Sequence, residues 1–370
     1  MPGGGAKAAY QAGVAKALAE MTREQPAHPF PILCGTSAGA LNAVVLGSCT
    51  GSFSEACAEL ESIWANLGCD HVYRSDWLGL LRNIWRLVLS LVNTGIAVGR
   101  PVALLDNMPL KKLLREKIDF SGIGKNLQSK KLDAVCVTAM NYTEGVSVSF
   151  FQGGPVSSGW QRWRRQGIPT PLQLPHLLAS AAIPTIFPPQ RIGRNYYGDG
   201  ALRQLAPISP AIHLGAEKIL IVSSAGHKKM YAKPYRRIHS PSFGQIIGHL
   251  LNSAFIESLE SDIELLEQLN ELIEEIPADQ RSEKTRHMQS IDIHIISPSI
   301  DIDTLAEDYI KQMPRSIRTF LRVTGSNRNE GGVNIASYLL FSEGYCKALI
   351  DLGYRDAMSQ RDTLMAFLEQ

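Results

Sequence analysis

The spacing of apolar residues predicts a helix, a strand and a second helix at the start of the chain. Four apolar side chains recur every three or four residues: Tyr10, Val14, Leu18 and Met21. They predict a helix over residues 6–21. Residues 30–34 form a short apolar run that ends at Gly35, and residues 38–46 are small and apolar enough for a buried helix. The pattern around Ser37 is therefore strand, sharp turn, helix.

Later apolar runs predict a sheet and a fold class. Four runs have the length and composition of buried strands: residues 134–140, 146–151, 219–223 and 291–296. Helical segments separate them, which predicts an α/β protein built as a three-layer α/β/α sandwich around a mostly parallel central sheet. We expect residues 1–240 to form the main domain. Residues 241–370 are expected to form a helical extension, with a strand near 291–296, that packs on the same domain.

One long helix of that extension has two different faces. Six apolar residues line the first face: Phe255, Leu259, Ile263, Leu266, Leu269 and Ile273. Six glutamates line the second: Glu257, Glu260, Glu264, Glu267, Glu271 and Glu274. The pattern favours a helix with an acidic solvated face that packs on the core over a helix that binds a partner.

Composition excludes several classes of partner. The 370 residues are 45% hydrophobic and carry a net charge of only +2, which gives no long-range field that would favour nucleic acid. The six cysteines show neither a CxxC pair nor a Cys/His spacing suited to zinc. We therefore expect reduced cysteines, no metal and no cofactor. Nothing in the pattern indicates an oligomeric state.

The first five residues and the longest apolar stretch bear on localisation. Residues 1–5 have neither the basic nor the apolar region of a secretory signal. The longest apolar stretch, residues 77–98, contains Arg82 and Arg86, which argue against a spanning helix. We expect a cytoplasmic protein that could associate with a membrane surface.

The predicted turn at residue 37 carries a catalytic motif. Gly35-Thr36-Ser37-Ala38-Gly39 matches G-x-S-x-G directly after a strand and before a helix. Such a turn holds a serine nucleophile in a strained conformation, and the N-terminus of the helix favours developing negative charge. This context favours a nucleophile at Ser37 over a simple tight turn.

A serine nucleophile needs a base, and the histidines do not offer one. His176, His213 and His294 lie in apolar segments that look structured. The other six look like loop, surface or helical residues: His28, His71, His227, His239, His249 and His287. Asp199 lies between two glycines after a short aromatic run, and a carboxylate can take the serine proton directly if burial raises its pKa. An Asp-Gly pair also commonly forms a simple turn, so this residue alone decides nothing.

The opening glycines supply donors for an oxyanion. Gly3, Gly4, Gly5 and Ala6 present successive backbone N–H groups at the N-terminus of a helix. Gly3, Gly5 and Ala8 also satisfy a relaxed dinucleotide-binding fingerprint. That alternative needs an acidic residue at the end of the next strand, which here runs into the G-x-S-x-G motif, so it fails.

Together these motifs resemble the patatin-like phospholipases. The resemblance rests first on residues 3–7, 35–39 and 199–201 in this order, and extends to residues 105–110, 179–189, 205–211 and 335–357. It implies a bacterial member that hydrolyses acyl esters of phospholipids and other lipids without a metal, at a lipid or membrane surface. It also implies a Ser37–Asp199 dyad, an oxyanion hole at Gly3, Gly4, Gly5 and Ala6, and motif positions Gly35, Gly39, Gly200 and Ala201.

Two departures from the family pattern concern the oxyanion hole. Ala8 stands where the family usually has glycine, which is a mild change. The family also carries an apolar strand before the glycine run, whereas only Met1 and Pro2 precede it here. We therefore expect a glycine loop tethered at its helix end only, from a truncated or misassigned start or in an impaired variant. A catalytically weak lipid-binding or scaffold protein is the alternative function.

Two further segments leave alternatives open. Residues 76–101 contain Trp77, Trp85 and several leucines, and suit either an interfacial lid helix or a helix packed on the core. Residues 160–165 (Trp-Gln-Arg-Trp-Arg-Arg) favour a solvated basic loop over a site for an anionic headgroup.

Overall fold

A seven-stranded sheet forms the centre of the protein. The computed structural model describes residues 1–23, 28–92, 101–155, 158–204, 206–224, 226, 246, 253, 258–276, 290–323 and 335–369. The strands of the sheet are β1 (Ile32–Thr36), β2 (Ala134–Asn141), β3 (Val146–Gly153), β4 (Trp160–Arg162), β5 (Arg165–Pro169), β6 (Gln190–Ile192) and β7 (Asn195–Asp199). Six follow the order β4-β5-β3-β2-β7-β6, and β1 pairs with β2. The predicted strands at 134–140 and 146–151 are confirmed as β2 and β3.

The edge of β2 that faces away from β3 carries two strands end to end. The first part of β2 pairs in parallel with β1, up to Thr36 opposite Thr138. The next part pairs antiparallel with β7, beginning with Asp199 opposite Ala139. The carboxyl ends of β1 and β7 therefore meet at one point of β2, which places residue 37 next to residue 199.

The central sheet is mixed, so the expectation of a mostly parallel sheet is wrong. Among the strands that the structure describes in this sheet, β1–β2 and β3–β5 pair in parallel, whereas β2–β3, β2–β7, β4–β5 and β6–β7 are antiparallel. Short turns can join antiparallel strands, whereas parallel strands need a longer crossover. Residues 160–165, expected as a loop, belong to one such hairpin, with Arg164 in its turn at φ 55°. The three-layer arrangement stays a prediction.

Helices precede, separate and follow the strands of this sheet. After a 3₁₀ turn at Gly5–Ala8 they are α1 (Ala9–Met21), α2 (Ala38–Ser48), α3 (Phe53–Ala65), α4 (Cys69–Val72), α5 (Trp77–Val92), α6 (Met108–Lys117), α7 (Ser121–Gln128), α8 (Leu174–Ser180), α9 (Ser209–His213), α10 (Ser258–Glu275), α11 (Ile302–Tyr309), α12 (Arg315–Val323), α13 (Ile335–Leu339), α14 (Glu343–Met358) and α15 (Arg361–Glu369). A second 3₁₀ turn covers Gly200–Arg203, and a third covers Ile310–Gln312. The predicted helices at 6–21 and 38–46 are confirmed.

The later part of the chain adds a second, two-stranded sheet. Strand β8 (Lys218–Val222) pairs in parallel with β9 (Asp292–Ile296), so both predicted strands are present. The long amphipathic helix is α10, which buries Leu259, Ile263 and Leu266 and exposes its glutamates. The proposed domain boundary at residue 240 lies outside the described residues.

The last long helix packs on the first. The Tyr10 hydroxyl of α1 donates to Asp356 of α14 at 3.1 Å, and both helices contribute to the main core. None of the helices in the described ranges combines the length and apolar composition needed to cross a bilayer.

Candidate active site

Ser37 occupies a strained turn between β1 and α2. Its φ of 55° and ψ of −127° lie outside the regions that side chains usually adopt. A methyl group added at Gly35 would overlap the Gly39 carbonyl, and one added at Gly39 would overlap the carbonyls of Met1 and Pro2. Both glycines of the motif are therefore required by close backbone packing, which explains how the strand can turn so sharply into the helix.

Asp199 lies directly against Ser37. The Ser37 Oγ donates to Asp199 Oδ2 at 2.6 Å, and the Ala201 N–H donates to Oδ1 at 3.0 Å. The backbone N–H of Asp199 donates to the Ala182 carbonyl at 2.9 Å. The carboxylate is thus fixed on both oxygens, and a methyl group at Gly200 would overlap the Thr138 carbonyl of β2.

Burial changes the acidity of this carboxyl. Asp199 is completely removed from solvent and Ser37 is 2% exposed. Desolvation disfavours the charged form and raises the pKa of Asp199 to about 7, although the hydrogen bonds from Ser37 and Ala201 oppose the shift. A carboxyl with a pKa near neutrality can both accept a proton and return it.

Ser180 holds the turn from the other side, and sequence reasoning assigned no role to it. Its Oγ accepts from the backbone N–H of Ser37 at 2.8 Å and donates to the Thr138 carbonyl at 2.6 Å. Ser180 is fully buried at the end of α8. The only signal in the sequence was its place in the run of small residues at 179–182, within the segment that resembles the family.

The glycine run packs against the start of α2 and is anchored along its length. The Ser224 Oγ donates to the Gly3 carbonyl at 2.8 Å, and Lys7 forms an ion pair with Asp303 at 2.8 Å. Gly5 has φ 56°, and a methyl group there would overlap the Tyr338 carbonyl. Gly4, Gly5 and Ala6 are all buried, so the glycine run forms a fixed turn.

The beginning of this loop is also attached, so the expectation of a loop tethered only at its helix end is wrong. The Met1 amino group donates to the Cys34 carbonyl at 2.9 Å, and the Thr36 N–H donates to the Met1 carbonyl at 3.2 Å. This is the bonding of a parallel bridge to β1. Gln11 Nε2 also donates to the carbonyls of Pro2 and Val222, at 2.9 and 3.0 Å.

A cleft of about 380 Å³ lies between β1 and β8. Its apolar lining includes Ile32 and Cys34 of β1, Ile219 and Ile221 of β8, and Phe367. Met1 lies at this cleft, where its backbone pairs with β1. Among the described residues, β8 pairs with β9 alone. The cleft therefore borders a strand from each of the two sheets.

The hydrogen bonds of the described histidines do not involve Ser37 or Asp199. His28, His71, His176, His213 and His294 make their hydrogen bonds elsewhere, and none of these bonds reaches Ser37 or Asp199. The remaining four histidines lie outside the described residues. Within the described ranges, acidic, histidine and cysteine side chains form no cluster that could hold a metal ion.

Comparison with known proteins gives a family for this chain. No curated protein matches it. A solved structure of VipD from Legionella pneumophila is similar at 14% sequence identity and a TM-score of 0.36, over 98% of this chain and 66% of that one. This chain therefore spans just under two thirds of that relative. The model of the patatin-like phospholipases matches residues 1–212, which is more than half of the sequence and includes Ser37 and Asp199. The chain belongs to the patatin-like phospholipase family.

Proposed function

We propose that the protein is a serine acyl hydrolase that cleaves carboxylic ester bonds of phospholipids or other lipids, with Ser37 as nucleophile and Asp199 as base. One observation carries the proposal: the 2.6 Å hydrogen bond from Ser37 Oγ to a buried carboxylate. A hydroxyl is a weak nucleophile until a base within hydrogen-bond reach removes its proton. Family membership supports a lipid as the source of the ester.

The first half of the reaction acylates Ser37. Asp199 Oδ2 takes the proton from Ser37 Oγ while that oxygen attacks the ester carbonyl carbon, which gives a tetrahedral intermediate with a negatively charged oxygen. Collapse of the intermediate breaks the bond to the alcohol, which leaves with the proton from Asp199. The acyl group then remains on Ser37.

The second half returns the enzyme to its starting state. Water donates a proton to Asp199 and attacks the acyl carbonyl, and collapse of the second intermediate releases the fatty acid and restores the Ser37 hydroxyl. The pKa of about 7 suits Asp199 to this alternation of base and acid.

The glycine run is suited to the negative charge of both intermediates. Its backbone is fixed by Ser224, Tyr338 and the bridge to β1, so its N–H groups need little reorganisation during the reaction. We assign the oxyanion hole to Gly3, Gly4, Gly5 and Ala6. The alternative of a catalytically weak scaffold protein depended on a loop anchored at one end, and the anchors at Met1, Pro2 and Gly3 remove that support.

The test is covalent labelling with a fluorophosphonate, followed by mapping of the modified peptide. We expect the label on Ser37, and loss of about 10³-fold or more of ester turnover in Ser37→Ala. Ser48→Ala, at the other end of α2, is the matched control and should retain both. Wild-type turnover of a short-chain nitrophenyl ester by folded Ser37→Ala would overturn the proposal.

A further inference from the structure

Helix α5 exposes large apolar side chains along one side. Six of them form what we call the apolar stripe: Trp77, Leu78, Leu81, Trp85, Val88 and Leu89. Leu78 is 83% exposed and Trp85 is 65% exposed. At about 100° per residue, the six positions fall within an arc of about 120°. A contiguous apolar surface of this kind on a folded protein marks an interaction site.

Another side of α5 is already used to pack on the protein. Leu80 is buried, Ile84 packs against the main core, and Asn83 Nδ2 donates to the Leu104 carbonyl at 3.1 Å. The two alternatives that the sequence left open are thus divided between two faces of one helix. Packing on the core uses the buried side of the helix, so this packing does not explain the exposed residues of the apolar stripe.

Charge indicates what the apolar stripe contacts. Between Trp77 and Val92 the helix contains no acidic residue, and Arg82 and Arg86 lie along one edge of the apolar stripe. A helix with tryptophans and leucines on one side and arginines beside them suits the interface of a membrane that carries anionic headgroups. An apolar protein partner would not require these cations.

A second cationic helix is hydrogen-bonded to the chain just before α5. Ser316 of α12 donates to the Ser75 carbonyl, two residues before α5, at 2.5 Å. Arg315, Arg318 and Arg322 share one side of α12, while Ile317 and Leu321 are buried on the other. We call these three residues the arginine stripe. Like α5, α12 contains no acidic residue.

Backbone hydrogen bonds connect α5 to the candidate active site. The Leu104 carbonyl that binds Asn83 belongs to a residue whose N–H donates to the Thr185 carbonyl at 2.7 Å. Three residues earlier, the Ala182 carbonyl accepts from the N–H of Asp199. The helix is therefore attached to the segment that also holds the catalytic carboxylate.

We propose that the apolar stripe of α5 inserts into the surface of an anionic phospholipid membrane, with the arginine stripe of α12 contacting the headgroups. That the membrane lipid is also the substrate rests on the proposed acyl hydrolase function. Membrane binding itself can be measured without catalysis.

Binding is measured by co-sedimentation with vesicles, in the Ser37→Ala background so that the lipid is not consumed. One vesicle is phosphatidylcholine alone and the other is equal parts of phosphatidylcholine and phosphatidylglycerol. We expect at least about tenfold stronger partition into the anionic vesicle, because each arginine near an anionic surface adds to binding. Equal partition into both vesicles, or into neither, would overturn the proposal.

Matched variants locate the contact. Leu81→Glu, at a residue 50% exposed, should lower partition about tenfold or more, whereas Leu265→Glu on α10, at a residue 54% exposed, should leave it unchanged. Leu81→Gln serves as a second variant without added charge, and Tm shows that each folds. Arg315→Gln with Arg322→Gln should weaken only the anionic preference. Equal binding by Leu81→Glu and Leu265→Glu, or a change in oligomeric state in place of a change in partition, contradicts the membrane contact.

Turnover of a soluble nitrophenyl ester, measured in proteins that retain Ser37, separates the two proposals. If Leu81→Glu hydrolyses this ester normally while vesicle binding falls, both stand. Vesicle binding without any ester turnover sinks the proposed function alone, and turnover without vesicle binding sinks the docking surface alone.

Discussion

Asp199 is a charged group withdrawn from water at the junction of β1 and β7, whereas α5 leaves six large apolar side chains in water. Each arrangement costs free energy relative to the ordinary distribution of residues. Around Asp199 the cost is partly offset by hydrogen bonds from Ser37 and Ala201. Around the apolar stripe no such compensation is visible within the described residues. The first region is complete within the chain, and the second is suited to a surface outside it.

This difference predicts that chemistry and membrane docking can be broken separately. Asp199→Asn removes the proposed base and should lower soluble ester turnover by about 10²- to 10⁴-fold, while partition into anionic vesicles stays unchanged. Steady-state kinetics and co-sedimentation of the same preparation measure both. The controls His176→Ala and His213→Ala should retain most of the turnover. A folded histidine variant as inactive as Asp199→Asn would mean that a histidine takes part in the chemistry.

The pH dependence sharpens the same comparison. The proposed base, Asp199, can accept a proton only when it is ionised, so turnover of a soluble ester should rise about tenfold per pH unit up to a pKa of about 7 and then level off. The apolar stripe and the arginine stripe do not include Asp199, so vesicle partition through α5 and α12 should not follow that curve. A pH–rate profile with no inflection near neutrality would contradict the assignment.

Stability should respond to the same proton in a defined direction. The folded-state pKa of Asp199 lies above its ordinary value, so the folded protein holds a proton that the unfolded chain has released. The contribution of this proton on Asp199 to the free energy of unfolding is fully present below about pH 4 and is lost as pH rises through about 7. The Tm of Asp199→Asn relative to wild type should therefore increase from about pH 4 to about pH 8. Parallel curves of Tm against pH for the two proteins would show that the pKa of Asp199 is not raised in the folded state.

How far the sequence predicted this site depends on the range of the contacts. Ser37 and its two glycines form a local motif, and the structure shows the strand-to-helix turn that the motif predicts. Asp199 was found by chemistry and resemblance, because its meeting with Ser37 depends on two strands sharing an edge of β2. The mixed sheet was missed since periodicity shows that a strand is present, not which neighbour it pairs with.

The anchors of the glycine run show the same limit. The Gly3 carbonyl binds Ser224, and Lys7 binds Asp303, both far along the chain. No local pattern marks such partners. For α5 the sequence left an interfacial helix and a core-packed helix open, and only packing shows that some of its apolar residues are buried while others are exposed.

The backbone of the glycine run offers a smaller perturbation of the site. Gly5→Ala should lower ester turnover about tenfold to a hundredfold and lower Tm, because the added methyl group would overlap the Tyr338 carbonyl and displace the loop. Gly145→Ala is the matched control: φ is 67° there, against 56° at Gly5, but no atom lies within 4 Å of the added methyl group. Equal turnover in the two variants would show that the position of Gly5 is not used in catalysis.

The smallest expected effect concerns the cleft between β1 and β8. An apolar Val/Ile-rich extension placed before Met1 could continue the parallel pairing that Met1 begins on β1, and would bury its side chains against Ile32, Ile219 and Ile221. It would also replace the Met1 ammonium group, whose pKa is lowered by burial, with a neutral amide donor to Cys34. We expect Tm to rise by a few degrees, about the effect of 1 kcal/mol in a chain of this size, and ester turnover to rise with it because the glycine run gains a longer anchor.

An extension of equal length made of glycine and serine is the control, since it can reach the same cleft without apolar burial. Partition into anionic vesicles should be the same for both forms, because α5 is untouched. If the apolar and the Gly/Ser forms melt and turn over alike, the backbone bonds from Met1, Pro2 and Gly3 already fix the loop, and a strand in the cleft adds nothing.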